Sequence, residues 1–155
     1  MKARRAFGVF ALLVLAIPTG IRAQQQESDL SKPKVPIVSV VGCASHMADG
    51  TWMLTKATDG VESKVLFMSA KEIEEGKKKP LGNNQYKLLG TPDFLTKEDL
   101  LSDARRAEFT RPEVANASGQ LQNGRKVLVK GLLITVSNEK RLNLVSVQQL
   151  ADTCG

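Results

Sequence analysis

The stretch RKVLVKGLLITV (125–136) decides the fold. Seven of its twelve residues are Val, Leu or Ile, a composition that suits a pleated, buried surface. It reads as a strand over 126–136. Lys130 and Gly131 interrupt the apolar run. A glycine inside a strand marks a bulge or a tight bend where backbones approach closely. A tight connection through Asn138, Glu139 and Lys140 leads into a last strand, RLNLVSVQQL (141–150).

Working back toward the N-terminus, VPIVSVVGCA (35–44) is β-branched and punctuated by Pro36 and Gly42, predicting a strand near 35–43. Asp49-Gly50 supplies turn chemistry, and TWMLTKA (51–57) forms a second strand. After Asp59-Gly60, SKVLFMS (63–69) reads as a third strand near 64–69. A charged insertion follows near 70–84, with Glu72, Glu74 and Glu75 ahead of Lys77, Lys78 and Lys79. That order of signs suits a short helical turn. QYKLLG (85–90) returns to strand. TKEDLLSDARRAEF (96–109) is the clear helix: Thr96 with Asp99 fits a capping box, and Pro112 follows its end.

Strands outnumber helices, and all connections but one are short, which favours antiparallel pairing. One helix between the third and fourth core strands is the arrangement of a Greek-key OB barrel. The fold class expected is therefore mainly β: a small OB-like antiparallel β-barrel (Greek key) with one α-helix, over 37–155.

The N-terminus is a separate matter. MKARR (1–5) is basic, AFGVFALLVLAI (6–17) is apolar, and Ala23 precedes a polar stretch. This is the pattern of a secretory signal peptide over 1–23, cut between Ala23 and Gln24. Residues 24–36 read as a flexible leader. The apolar run has 12 residues, short of the ~20 that span a bilayer as a helix. No transmembrane segment is expected after signal removal, and the product is expected in the periplasm or outside the cell. The whole chain carries +6, yet residues 1–23 hold four of its 22 basic and none of its 16 acidic residues, leaving +2. A pI near 9.5 is thus largely an export signal. The electrostatic case for a nucleic-acid partner nearly disappears.

The motifs that carry chemistry are sparse. VVGC (40–43) resembles a lipobox, but 25 residues separate Ile17 from Cys43, and processing signals act by position. Cys43 and His46, with Asp49 nearby, have metal-ligand types. A structural zinc site takes four Cys or His ligands, whereas the chain has two cysteines and one histidine. There is no G-x-S-x-G elbow, Gly-rich phosphate loop or H-E-x-x-H helix, so no cofactor is expected. Trp52, Phe67 and Tyr86 fall on strands two and three, the face on which OB folds bind ligands. They are the ligand-binding candidates, with Tyr86 the best placed to face solvent. His46 and Asp49 are the metal candidates.

The strand with Val41-Gly42-Cys43, DGTWMLT (49–55), LGNNQYKLLG (81–90), GRKVLVKGLLI (124–134), RLNLVSV (141–147) and a closing Cys154 together resemble an uncharacterised group of small exported bacterial OB-fold-like proteins. The resemblance implies export and an OB-like barrel, and no catalytic residues. Export puts both cysteines in an oxidising compartment. In an OB barrel the end of the first strand can approach the chain terminus, so Cys43 and Cys154 are expected to form a disulfide. The leading functional expectation is a non-catalytic, monomeric binding module of the cell envelope, for an envelope protein or a small ligand. The alternatives are a metal-dependent or thiol enzyme centred on Cys43, His46 and Asp49, and an envelope stress or stability factor.

Overall fold

The computed structural model describes residues 35–102 and 117–155. The signal segment, nearly all of the leader, and residues 103–109 of the expected helix lie outside the described residues. The elements run β1 (Ile37–His46), β2 (Trp52–Ala57), β3 (Val61–Glu62), α1 (Ala70–Lys78), β4 (Asn84–Leu89), a 3-10 turn (Pro92–Phe94), α2 (Lys97–Ser102), β5 (Lys126–Val136) and β6 (Glu139–Ala151). The domain is mixed and mainly β, with small helices.

β5 organises it. It pairs antiparallel with β1 on one side and with β6 on the other. Ser137 and Asn138, both at positive φ, make the two-residue turn that matches the twist of the flanking strands. The β5–β6 register shifts between Lys130 and Gly131. A Cβ on Gly131 would lie 2.6 Å from the Asn143 carbonyl oxygen, so close backbone approach requires glycine there.

Period two sends Val127 and Val129 to one face of β5 and Leu128 and Lys130 to the other. The first face packs with Val38, Val40 and Ala44 of β1, Trp52 and Leu54 of β2, Tyr86 and Leu88 of β4, and Leu142 and Leu144 of β6. On the opposite face Val41, Leu128 and Leu150 form a second cluster, covered by Met68, Ile73 and Leu81. β5 is buried on both faces in its first half, which is why it reads as a run rather than an alternation.

α1 lies over that second cluster. Ser69 and Glu72 form a complete capping box at its start. Gly76 is its buried residue: a Cβ there would meet Leu150 Cδ1 at 3.2 Å. At its end, Lys126 Nζ donates to the carbonyls of Lys77 (2.9 Å) and Lys79 (2.8 Å), two acceptors that the helix itself leaves free.

Several expectations are corrected. The strands form one six-stranded mixed sheet in the order β2-β4-β6-β5-β1-β3, with β1 also pairing β2. This is not the antiparallel OB-like Greek-key barrel with one helix, and the resemblance to the exported OB-fold-like group falls with it. β4 and β6 run parallel. β5 lies between them in the chain and runs antiparallel to β6, so the parallel pair joins strands that are not consecutive, a consequence that counting short connections overlooks. The third strand is not 64–69 but Val61–Glu62, which among the described residues pairs only with β1. The charged insertion holds the helical turn that its order of signs suits, and that helix packs on the sheet rather than standing off as a surface excursion. Among the described residues no helix is long and apolar enough to cross a membrane.

Candidate functional site

The most unusual group in the described structure is Lys130. Its side chain has no exposed surface, a placement rare for lysine unless it is paired. The register of β5 turns it outward from the main core, beneath the segment that leads into α1. There Nζ meets Glu72 Oε1 at 2.7 Å, the Phe67 carbonyl at 2.8 Å and the Val65 carbonyl at 3.4 Å. An ammonium has three protons to donate, and all three are taken.

Glu72 is shared between two tasks. Oε1 faces Lys130, while Oε2 accepts from the Ser69 main-chain N–H (2.7 Å) and hydroxyl (2.9 Å). The Lys130 ammonium, and after it the Ser69 N–H, hold the Glu72 carboxyl at about 2. One ion pair thus fixes both the start of α1 and the chain just before it.

That fixed segment displays apolar side chains. Val65, Leu66 and Phe67 are all exposed, Phe67 to 82%, and Val61 of β3 is exposed beside the same region. A contiguous exposed apolar run marks an interaction surface more often than scattered exposed residues do. Two clefts lie beside β3. One, of about 560 Å³, lies between Asp59 and Val61 on one side and Lys79, Leu81 and Asn83 on the other. The second, of about 190 Å³, lies between β3 and α1 and shares Val61 and Lys79 with the first. Asn84 Nδ2 donates to Asp59 Oδ1 at 2.9 Å, and Lys140 Nζ donates to Asn84 Oδ1 at 3.0 Å, tying the cleft rim to β6.

The residues singled out from sequence are dispersed. Trp52 and Tyr86 are both in the main core. Tyr86, expected to be the surface aromatic, is 2% exposed; its hydroxyl donates to the Thr58 carbonyl at 3.3 Å. Burial first, and then the Asp59 carboxylate, push that hydroxyl's pKa up. Lys140 Nζ lies 5.6 Å from the Tyr86 ring centre and covers its edge of the core. Phe67, expected in the third strand, is the exposed one. The three therefore form no common face.

His46 and Asp49 are exposed in and after the end of β1. The His46 ring stacks on Trp52 at 4.7 Å, and its main-chain N–H donates to Asn123 Oδ1 at 3.0 Å. The Asp49 carboxylate accepts the Thr51 N–H at 2.9 Å, a bond that lowers its pKa and closes the turn. Cys43 is bonded to Cys154, with Cα atoms 5.7 Å apart. No group of three or more His, Cys, Asp or Glu side chains converges as a metal site among the described residues.

Lys130, Glu72 and Ser69 were not among the sequence candidates, although their signals are present. Ser69-Ala-Lys-Glu72 has the S-x-x-E form of a capping box. A lone lysine in the middle of an apolar strand implies either an exposed edge or a buried partner. No family model, curated protein or solved structure matches the chain, so the functional reading rests on geometry.

Proposed function

We propose that this domain is an exported, non-catalytic interaction module of the cell envelope, with residues 65–67 as its contact surface. One observation carries the reading: Phe67 presents its ring to solvent while its own carbonyl is held by a buried ammonium at 2.8 Å. A floppy apolar segment would lose conformational entropy on binding. One whose backbone is already anchored loses less, which favours affinity. Exposed aromatic side chains on an ordered backbone are the residues that most often dominate protein interfaces.

The enzyme reading draws less support from the same geometry. A thiol nucleophile needs a free sulfur, and the disulfide occupies Cys43. Asp49 is engaged in its turn.

The test is chemical cross-linking in intact cells, comparing wild type with Phe67→Ser. Phe67 is so exposed that the substitution leaves the melting temperature within a degree or two. Wild type gives a discrete cross-linked partner, and Phe67→Ser reduces its yield at least tenfold. Equal yields from the two proteins would sink the reading.

A further inference from the structure

We infer that the larger cleft, between residues 58–61 and 79–84, binds a small zwitterion: a molecule carrying both an ammonium and a carboxylate, as a free amino acid or a dipeptide does. The cleft is separate from the contact run at 65–67, none of which lines it.

Both walls are held by the sheet. Thr58 is tied to β1 twice, its N–H donating to the Val41 carbonyl at 2.9 Å and its Oγ1 accepting the Val41 N–H at 3.1 Å. On the other wall the Gly82 N–H donates to the Lys56 carbonyl at 2.9 Å. The Lys79 carbonyl accepts from Lys126 Nζ at 2.8 Å. A Cβ on Gly82 would run into the Ala57 carbonyl, so the 80–83 stretch lies directly against the end of β2. A ligand therefore does not have to order the cleft, which favours affinity.

The two charged groups of the lining have opposite signs. Asn84 Oδ1 accepts from Lys140 Nζ at 3.0 Å, and Asn84 Nδ2 donates to Asp59 Oδ1 at 2.9 Å. A lysine ammonium can only donate, so it fixes which end of the Asn84 amide meets Asp59. This chain positions the Asp59 carboxylate and, among the described residues, leaves its Oδ2 without a protein donor. Lys79 lines the opposite wall. Among the described residues neither Asp59 nor Lys79 forms an ion pair. Two opposite charges that share a cleft without neutralising each other are both satisfied by a ligand carrying both signs, through charge-assisted hydrogen bonds.

Other ligand classes fit less well. A phosphate would face the Asp59 carboxylate. A metal ion would find one carboxylate, and no three metal-ligating side chains converge among the described residues. A wholly apolar ligand would cover both charges without pairing them, at a cost in desolvation. Val61, Pro80 and Leu81 accommodate the hydrocarbon part of the zwitterion. At about 560 Å³ the cleft lies within the ~300–1,000 Å³ range of small-molecule sites, which admits either an amino acid or a dipeptide.

The experiment titrates the disulfide-intact protein with L-alanyl-L-leucine, its N-acetyl form, its C-terminal amide, L-leucine and glucose, followed by calorimetry and by amide chemical shifts. The proteins are wild type, Asp59→Asn, Lys79→Met and Phe67→Ser, with thermal melting as the check on folding. Alanyl-leucine or leucine is expected to shift the amides of residues 58–61 and 79–84, and whichever binds more tightly identifies the ligand as dipeptide or amino acid. For alanyl-leucine, Asp59→Asn and Lys79→Met each weaken binding at least fivefold, and Phe67→Ser leaves it within twofold. The N-acetyl form binds wild type at least fivefold more weakly and is indifferent to Asp59→Asn. The amide is likewise weaker and is indifferent to Lys79→Met, since each cap removes the charge that its wall recognises. The capped ligands on wild type keep the test decisive if a variant fails to fold. No binding of either zwitterion up to about 10 mM would overturn the inference. So would capped forms that bind as tightly as the parent, or glucose shifting the same amides as strongly. Because Phe67→Ser leaves this cleft intact, failure here and failure of the 65–67 contact surface are read separately.

Discussion

Lys130 shows how one residue sets local order. Its ammonium is removed from water, a cost offset only because three acceptors surround it. Lys130→Met keeps the stem but leaves the Val65 and Phe67 carbonyls without that donor. Glu72, with about a third of its side chain exposed, can rehydrate, which limits the damage. The expected loss is about 2–4 kcal/mol of unfolding free energy. The pH dependence follows from Glu72, whose carboxyl is lowered from 4.5 to about 2 in the folded protein. A depressed carboxyl pKa stabilises the folded state above the unfolded value, and that stability is lost as pH falls toward the folded value. Glu72 thus contributes fully above pH 4.5 and progressively less down to about 2. Urea midpoints measured from pH 7 to pH 2 should fall more steeply in wild type than in Glu72→Gln, with the difference confined to that window. Parallel curves would show that the ion pair does not set the carboxyl's titration.

At the scale of elements, β5 and its partners carry the fold. The bulge between Lys130 and Gly131 places a lysine and a glycine side by side for different reasons. One fills a polar pocket under α1, and the other admits the Asn143 backbone. Gly131→Ala puts a methyl 2.6 Å from a main-chain oxygen, and backbone cannot move aside as a flexible side chain can. A loss of about 1–3 kcal/mol is expected, read as a lower urea midpoint with early amide exchange at residues 142–144. An unchanged midpoint would mean that the bulge yields freely. Much at this scale was legible in the sequence. The span of β5, the turn after β1, and the Thr96–Asp99 cap of α2 all follow from local pattern, and the cap is present with Asp99 N–H to Thr96 Oγ1 at 3.0 Å. The 64–69 strand failed because an apolar run with β-branched residues does not by itself require burial. Residues 65–67 are instead held from below through their carbonyls. Tyr86 was misplaced because alternation assigns two faces without saying which one faces the core. The candidate site was hardly legible, since it depends on Lys130 meeting residues some sixty positions away.

At the scale of the whole molecule, the disulfide joins the hub of the sheet to the end of the chain. β1 pairs with β2, β3 and β5, and Cys43 is its contribution to the bond with Cys154. The Cys43 side chain is nearly buried, opposite Lys126 in the β1–β5 register, and Lys126 in turn pairs with Ala151 near the end of β6. The cysteines thus meet where three strand ends converge, a proximity that sheet register supplies without a closed antiparallel barrel. The bond spans 111 residues, and chain-entropy reasoning values a loop of that size at about 4–5 kcal/mol before any native strain is subtracted. Two effects should separate on removal. The Cys43→Ser/Cys154→Ser protein is expected to lose most of that stability globally, because the gain lies in the unfolded chain. It should also lose protection locally at residues 149–151, where β6 ends and the tail is no longer tied. Lys126 also caps α1 through two carbonyls, so fraying at 151 should reach the last turn of the helix. Hydrogen exchange on the oxidised, reduced and double-serine proteins reads both effects. Reduction that leaves the unfolding free energy within about half a kcal/mol of the oxidised protein's would show that packing alone holds the terminus.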